Sequence, residues 1–319
     1  MMDKTFDAVC IGVAIQDIIM PGIPYNAFEY DTCTAQGGFL AVGGDAANEA
    51  VVLARLGNHT GLLARVGSDA IGSSIYELLR REPLDLSTII RDPDARMALA
   101  AALIHPDGER SFFLIPGNSS YYLKPEDVTD EILRQTRVVT VGSLYCLPGL
   151  DGQPIADILS RAQSFQTITV CDMTHDSFHI GPDAMDCVYP YVDFMMASLE
   201  EAVYVTGQTD PEKIADRFLK QGVKNVVVKL GGRGCFFKNG EEAFFSPAFD
   251  VQAKDTTGCG DNFVAGFVHG LLRQWTFRDC VKFGSAAGGL NATAPGAHET
   301  VKSERQVMDF IHQTPLKSE

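Results

Sequence analysis

The stretch Asp255-Thr256-Thr257-Gly258-Cys259-Gly260-Asp261-Asn262-Phe263 decides how the rest of the chain is read. Two glycines flank one small residue, so the backbone can turn tightly and a ligand can approach its N–H groups. Apolar residues then recur at helical spacing (Phe263, Phe267, Gly270, Leu271), so the loop feeds straight into a helix N-terminus. Such an end carries unpaired N–H donors and the positive pole of the helix dipole, which suits a phosphate in transfer. Asp261 falls in the first turn, beside the same spot. A carboxylate there repels a bound anion, and one reason to place it so is a general base that takes a proton from an attacking hydroxyl. The plainer alternative is that Asp255 or Asp261 caps the helix and the glycines only turn the chain.

Taken whole, the nine residues resemble the C-terminal signature of the ribokinase-like (PfkB) carbohydrate kinases, Asp-Thr-x-Gly-Ala-Gly-Asp-x-Phe. Cys259 stands where that family usually has Ala. The position acts through its backbone N–H, so a small thiol is compatible with it. A second glycine-led helix start lies far upstream, Gly43-Gly44-Asp45-Ala46-Ala47-Asn48-Glu49-Ala50, leading into VVLARLG. Asp45 and Asn48 stand three apart on one helical face and supply an acceptor and a two-ended amide for sugar hydroxyls. Alone, a Gly-Gly-Asp start is a common cap. It is similar to the same family's N-terminal signature, Gly-Gly-x-x-x-Asn, and the two occur in the family's order. The resemblance extends over essentially the entire chain.

Composition narrows the function. The chain has 319 residues, 45% of them hydrophobic, ample for the core of one large α/β domain or two smaller ones. Its 26 basic and 41 acidic residues leave a net charge of −15, which argues against nucleic acid or a membrane surface as partner. Eight scattered cysteines without a Cys-x-x-Cys pair read as reduced, mostly buried thiols. The start, MMDKTFDAVCIGVAI, is too short in its apolar part and too acidic for a secretory signal. No apolar run approaches the roughly 20 residues of a membrane span. A soluble cytoplasmic protein is expected.

Buried apolar runs alternate with helical segments along the chain. Phe6 to Ile15 reads as a parallel-sheet strand, with Asp17 just beyond its C-terminal end, where ligands of such sheets bind. An exposed loop aspartate is the alternative there. Residues 20–40 break the rhythm with Pro21, Pro24 and Gly37-Gly38 and look like an inserted lid. Residues 60–72 read as a strand and a turn into a helix. Met97–His105 and Arg110–Ile115 form a hairpin across Pro106-Asp107-Gly108-Glu109 that joins the lid, assigned to about 95–118. Phe112 and Phe113 alternate faces, one over a substrate and one toward a partner subunit, unless both pack locally. Helices near 124, 151–164 and 210–221 alternate with strands at 138–142, 167–172, 192–197 and 225–230. Two long helices, 258–275 and 277–292, and a last one near 303–313 complete the chain. The expected fold is a single three-layer α/β/α domain with a doubly wound, mostly parallel sheet. His175 and His179 are four apart, but Gly181-Pro182 follows at once and no Glu lies between them, so no metal is assigned there. No P-loop or dinucleotide fingerprint occurs.

The resemblance implies the remaining roles. Asp261 is the base, and the N–H groups of Gly258, Cys259 and Gly260 receive the transferred phosphoryl. Asp17, Gly43, Gly44, Asp45 and Asn48 hold the sugar. Lys229, Gly231, Gly234, Thr256 and Asn291 face ATP. Glu201 holds Mg²⁺ through water, with Ser198 where the family carries Asn. Asp255, Thr257, Asn291, Ala294, Gly296 and Thr300 enclose a monovalent cation, K⁺. The implied activity is ATP-dependent phosphorylation of a small sugar. A nucleoside acceptor and a sugar-binding regulator remain alternatives, and a homodimer through the lid is expected.

Overall fold

The computed structural model describes residues 4–107 and 109–317. Gly108, in the turn assigned to the lid hairpin, lies outside the described residues, as do the first three residues of the N-terminal stretch. In chain order the elements are β1 (Phe6–Ile11), β2 (Ile15–Pro21), β3 (Phe39–Gly43), α1 (Asp45–Arg55), β4 (Thr60–Leu63), β5 (Arg65–Gly67), α2 (Ala70–Leu79), β6 (Ile90–Asp92), β7 (Leu99–Ile104), β8 (Arg110–Ile115), α3 (Asp130–Arg134) and β9 (Thr136–Leu144). They continue with α4 (Gln153–Ser164), β10 (Ile168–Met173), β11 (Phe194–Ser198), α5 (Leu199–Thr206), α6 (Pro211–Lys220), β12 (Asn225–Lys229), β13 (Gly234–Asn239), β14 (Ala243–Pro247), α7 (Cys259–Leu272), α8 (Phe277–Asn291) and α9 (Glu304–Gln313).

The main sheet runs β14-β13-β12-β11-β10-β9-β1-β4. Six strands, β4 through β12 in that row, pair in parallel, and β13 and β14 add an antiparallel edge. The parallel strands are apolar on both faces, as strands covered by helices must be. Residues of α1, α7 and α8 pack with one face of the sheet, and residues of α4 and α6 with the other. After β1 the chain goes to β4 on one side and later returns to β9 on the other. That reversal opens a crevice beyond the strand C-termini, where open α/β sheets bind ligands.

The lid is a separate four-stranded sheet, β3-β2-β7-β8. It departs from expectation in one place. The apolar run assigned to a single strand from Phe6 to Ile15 breaks after Ile11, and β2 already belongs to the lid. Asp17 therefore lies within a lid strand, opposite Ala41 and Ala100, and not at the tip of a core strand. A turn at Gly12-Val13-Ala14 separates two runs that hydropathy alone joins. The antiparallel edge after Lys229 was also not foreseen. Gly234 permits it: φ is +112°, and a Cβ would collide with the Ser246 carbonyl.

Candidate active site

The helix starts of α1 and α7 meet above the central strands. At α7, Gly258 is the N-cap with φ +70°, and a Cβ there would run into the Ala297 carbonyl, so only glycine fits. Among the described residues, the N–H groups of Gly258, Gly260 and Asp261 have no acceptor, and that of Cys259 leans on the Thr256 carbonyl at 3.3 Å. These are the orphan donors of a helix start. Burial pushes the Cys259 thiol up to about 12, so it stays neutral and adds no charge beside them.

Asp261 is buried in the first turn, and its Oδ2 accepts a 2.6 Å hydrogen bond from Asn48 Nδ2 of α1. Burial and the nearby Asp45 hold its carboxyl well above the usual range, while the Asn48 amide and Lys229 pull the other way. Lys229 ends β12. Its Nζ donates to Asp172 Oδ2 at 2.5 Å and lies 3.1 Å from where a Cβ on Gly260 would sit, so the ammonium overlies the start of α7. Burial opposes that charge, but Asp172 and Glu201 outweigh it and hold Lys229 up at about 12. Burial pushes Asp172 up to about 7, against the pull of Lys229.

Glu201 begins α5 in a capping box. Ser198 N donates to Glu201 Oε2 at 2.8 Å, and Ser198 Oγ accepts from Glu201 N at 3.4 Å. Serine in place of the family's asparagine thus caps the helix and orients the glutamate. Among the described residues no hydrogen-bond donor engages the second Glu201 oxygen. These groups line a cavity of about 440 Å³, whose apolar lining includes Phe249, Val251, Gly288, Gly289 and Ala292. Hard carboxylate oxygens in this lining suit a hydrated Mg²⁺, and the apolar groups suit a nucleobase.

Of the residues assigned to ATP, Lys229, Gly231, Gly234 and Thr256 line this cavity, but Asn291 does not. Its amide is buried behind the loop and donates to the carbonyls of Thr257 at 2.8 Å and Gly296 at 3.3 Å. The cavity-facing side of α8 carries Ser285, Gly288, Gly289 and Ala292, one helical stripe that leaves Asn291 on a different side.

Near the start of α1, burial pushes Asp17 up to about 7, and Gly43 leaves the room its carboxylate occupies. Gly44 is the N-cap of α1 with φ +96°, and a Cβ there would sit 2.5 Å from the Val13 carbonyl. Asp45 Oδ2 accepts from Ser143 Oγ at 2.7 Å, which ties α1 to the end of β9. Asn48 uses both ends of its amide within the protein. Nδ2 donates to Asp261, and Oδ1 lies 2.8 Å from His298 Nδ1.

The set assigned to a monovalent cation is arranged differently from that expectation. Asp255 Oδ1 accepts from Thr257 N at 2.9 Å and from Arg110 Nη1 of β8 at 2.9 Å, and Oδ2 accepts from Gly296 N at 2.9 Å. Arg110 also bonds Thr257 Oγ1, and its Nη2 donates to Thr256 Oγ1 at 2.9 Å. Thr300 Oγ1 is 3.5 Å from the Asn291 carbonyl, and Ala294 N is 3.4 Å from it. Although burial opposes the charge, the Gly296 and Thr257 donors and Arg110 hold the Asp255 carboxyl below its usual range. The positive charge at this carboxylate is the guanidinium of a lid residue, and the Asn291 amide engages two of the carbonyls. The arrangement does not fit an added cation.

Sequence reasoning missed Asp172, Arg110 and His298. An acid closing the buried run Ile-Thr-Val-Cys-Asp at the end of a central strand was a readable signal for Asp172. Nothing local marks Arg110 or His298, since each matters only through a partner far along the chain.

An α/β/α sheet with a separate lid, and a glycine-led helix start facing a nucleotide-sized cavity, define a phosphotransferase of the ribokinase-like fold. The pfkB family carbohydrate kinase model matches residues 6–304, and the chain belongs to that family. It is 26% identical to the ribokinase of Haemophilus influenzae over 91% of this chain and 93% of that one. It is 28% identical to the 5-dehydro-2-deoxygluconokinase of Photobacterium profundum over 97% and 96%. Arabidopsis thaliana ribokinase, solved with ribose and ATP, superposes with a TM-score of 0.78 at 22% identity, over 96% and 99% of the two chains.

Proposed function

We propose that this carbohydrate kinase transfers the γ-phosphoryl of ATP to a hydroxyl of a small sugar, with Asp261 as general base. The observation that carries this reading is the juxtaposition of a buried carboxylate, unpaired N–H groups and a lysine at one helix start. Phosphoryl transfer asks mainly for positioning and charge stabilisation. Asp17, Gly43, Gly44 and Asp45 orient the acceptor. Asp261 takes its proton as the new P–O bond forms. The N–H groups at Gly258, Cys259 and Gly260 and the Lys229 ammonium stabilise charge on the migrating group. Lys229 exchanges Asp172 for phosphate oxygen as ATP enters. Mg²⁺, when bound, neutralises phosphate charge, and Glu201 with its capped orientation holds the hydrating waters. The lid, residues about 20–40 and 95–118 together with β2, excludes water that would otherwise take the phosphoryl.

ADP release from ATP should be measured with a panel of sugars, sugar acids and nucleosides. Stimulation by a sugar supports the reading. Stimulation by nucleosides alone, or binding without ADP release, replaces it with a nucleoside kinase or a regulator. Asp261→Asn should lower kcat by about 10²–10⁴ with sugar affinity largely retained. Wild-type turnover in that variant removes the base assignment. A lid carrying half-exposed Phe112, Phe113 and Ile115 also supports a homodimer through this sheet. Light scattering at micromolar concentration should give twice the chain mass, and a monomer would refute the dimer.

A further inference from the structure

Behind Asp261 lies a chain of side chains that the reaction as described does not use. Asp261 Oδ2, Asn48 Nδ2, Asn48 Oδ1 and His298 Nδ1 follow one another at 2.6 Å and 2.8 Å across the amide. All three residues are at most 8% exposed. They come from three parts of the chain: α7, α1 and the loop after α8. That loop is held from several sides. Arg55 Nη1 donates to the carbonyls of His298 at 2.5 Å and Val301 at 3.1 Å, and Glu82 grips the same guanidinium with two 2.7 Å bonds. Asn262 Nδ2 donates to the Ala297 carbonyl at 2.7 Å. The imidazole is therefore presented to Asn48 by a braced backbone.

We propose that His298 is a positioning residue that fixes the amide orientation of Asn48, so that Asn48 presents its NH₂ to the base Asp261. The physical need is plain. A primary amide is nearly symmetric in shape, and a half-turn about its last bond would set its oxygen against the carboxylate. The ionised Asp261 already favours the NH₂ end, and a donor at the far end reinforces that choice by holding the oxygen. The atom facing Nδ1 is the amide oxygen, so the contact is a hydrogen bond in the tautomer that carries its hydrogen on Nδ1. A buried carboxylate that must be ionised to act as base needs each donor it can keep. Charged groups around Asp261 are Asp45 and Glu49 from α1, Asp172 from β10 and Lys229 from β12, and the Cys259 thiol adjoins it. Three of these are carboxyls that oppose its ionisation. Around His298 stand Glu299, Arg55, Glu82 and Lys302, with Glu299 Oε1 3.4 Å from Nε2.

The inference rests on Asp261 being the base, and the test separates the two. Asp261→Asn is measured first, for turnover and for the acid limb of the kcat/KM profile against pH. His298→Leu keeps bulk and removes the donor. His298→Asn restores an N–H at nearly the same place. The expected result is a roughly tenfold loss of kcat in the leucine variant, with KM for sugar and ATP changed little. Its acid limb should move to higher pH by about one pH unit, because Asp261 loses a donor to its ionised form. The asparagine variant should recover most of both. In an Asn48→Ala background His298→Leu should add nothing. An acid limb unmoved by His298→Leu, or an asparagine variant as impaired as the leucine one, overturns the relay while Asp261→Asn still supports the base. If Asp261→Asn turns over like wild type, both fall. Should the leucine variant not fold, His298→Phe, which keeps an aromatic ring without the donor, takes its place with the same outcomes.

Discussion

The floor of the site and its lid are built on opposite principles. On the floor, α7 and α1 are buried almost throughout, and their starts are dictated by glycines whose backbone no other residue could adopt or fit. In the lid, two-stranded pairings hold the sheet together, but Phe39, Leu40, Phe112, Phe113, Leu114 and Ile115 are 41–62% exposed. The floor offers unpaired main-chain N–H groups together with the side chains of Asp261, Asn48 and Lys229. The lid offers side chains, Asp17 and Arg110 among them, that reach back into the site.

The largest expected effect tests the floor. Gly258→Ala forces a Cβ into a left-handed position and into the Ala297 carbonyl. It should destabilise the fold by roughly 2–4 kcal/mol and cost at least about 10² in kcat. A thermal melt and a steady-state assay read both, and an alanine variant of normal rate would show that the helix start does not handle the phosphoryl.

Arg110→Met comes next and asks whether the lid shares in the chemistry. With the guanidinium in place, the wild-type rate should be the same within about twofold in potassium, sodium or choline salts. The methionine variant should lose roughly tenfold and regain part of it in potassium, because Asp255 then lacks its counter-charge. Strong potassium dependence of the wild type would mean that Arg110 moves aside and that the family's cation site operates here after all.

The smallest effect on turnover concerns Asp17. Burial holds its carboxyl up at about 7 in the folded chain, against about 3.9 for a free aspartate. Between these values the folded state binds a proton that the unfolded state does not, so the aspartate costs stability as pH rises. Asp17→Asn removes that cost. Its melting temperature relative to wild type should climb from pH 4 to pH 7 and then level, by an amount worth at most about 4 kcal/mol. A difference independent of pH would mean that Asp17 is hydrated and not held by the lid. Sugar KM should rise in the same variant.

Much of the core was legible because parallel strands and amphipathic helices write their burial into local composition. Val138–Gly142 and Asn225–Leu230 fell within a residue or two of β9 and β12. The error at Phe6–Ile15 has the same origin. Hydropathy sees that Ile11 and Ile15 are both apolar, but not that one pairs with Thr60's strand and the other with the lid. Asn291, assigned to ATP, braces the loop: a nucleotide site and a loop brace both want a polar residue at the end of a small-residue helix. Only the helical phase separates them.

The chain's own order of residues settled which backbone must turn at Gly44 and Gly258, which helices start there, and which acid stands in the first turn of α7. Those are local matters of φ, of missing Cβ atoms and of spacing. Tertiary structure alone decided that Asn48 faces Asp261 with His298 behind it, that Arg110 answers Asp255, and that Lys229 rests on Asp172. Each of these contacts joins residues at least 57 positions apart. A side chain's charge is fixed by its covalent structure, but its partner is chosen by packing across the whole sheet.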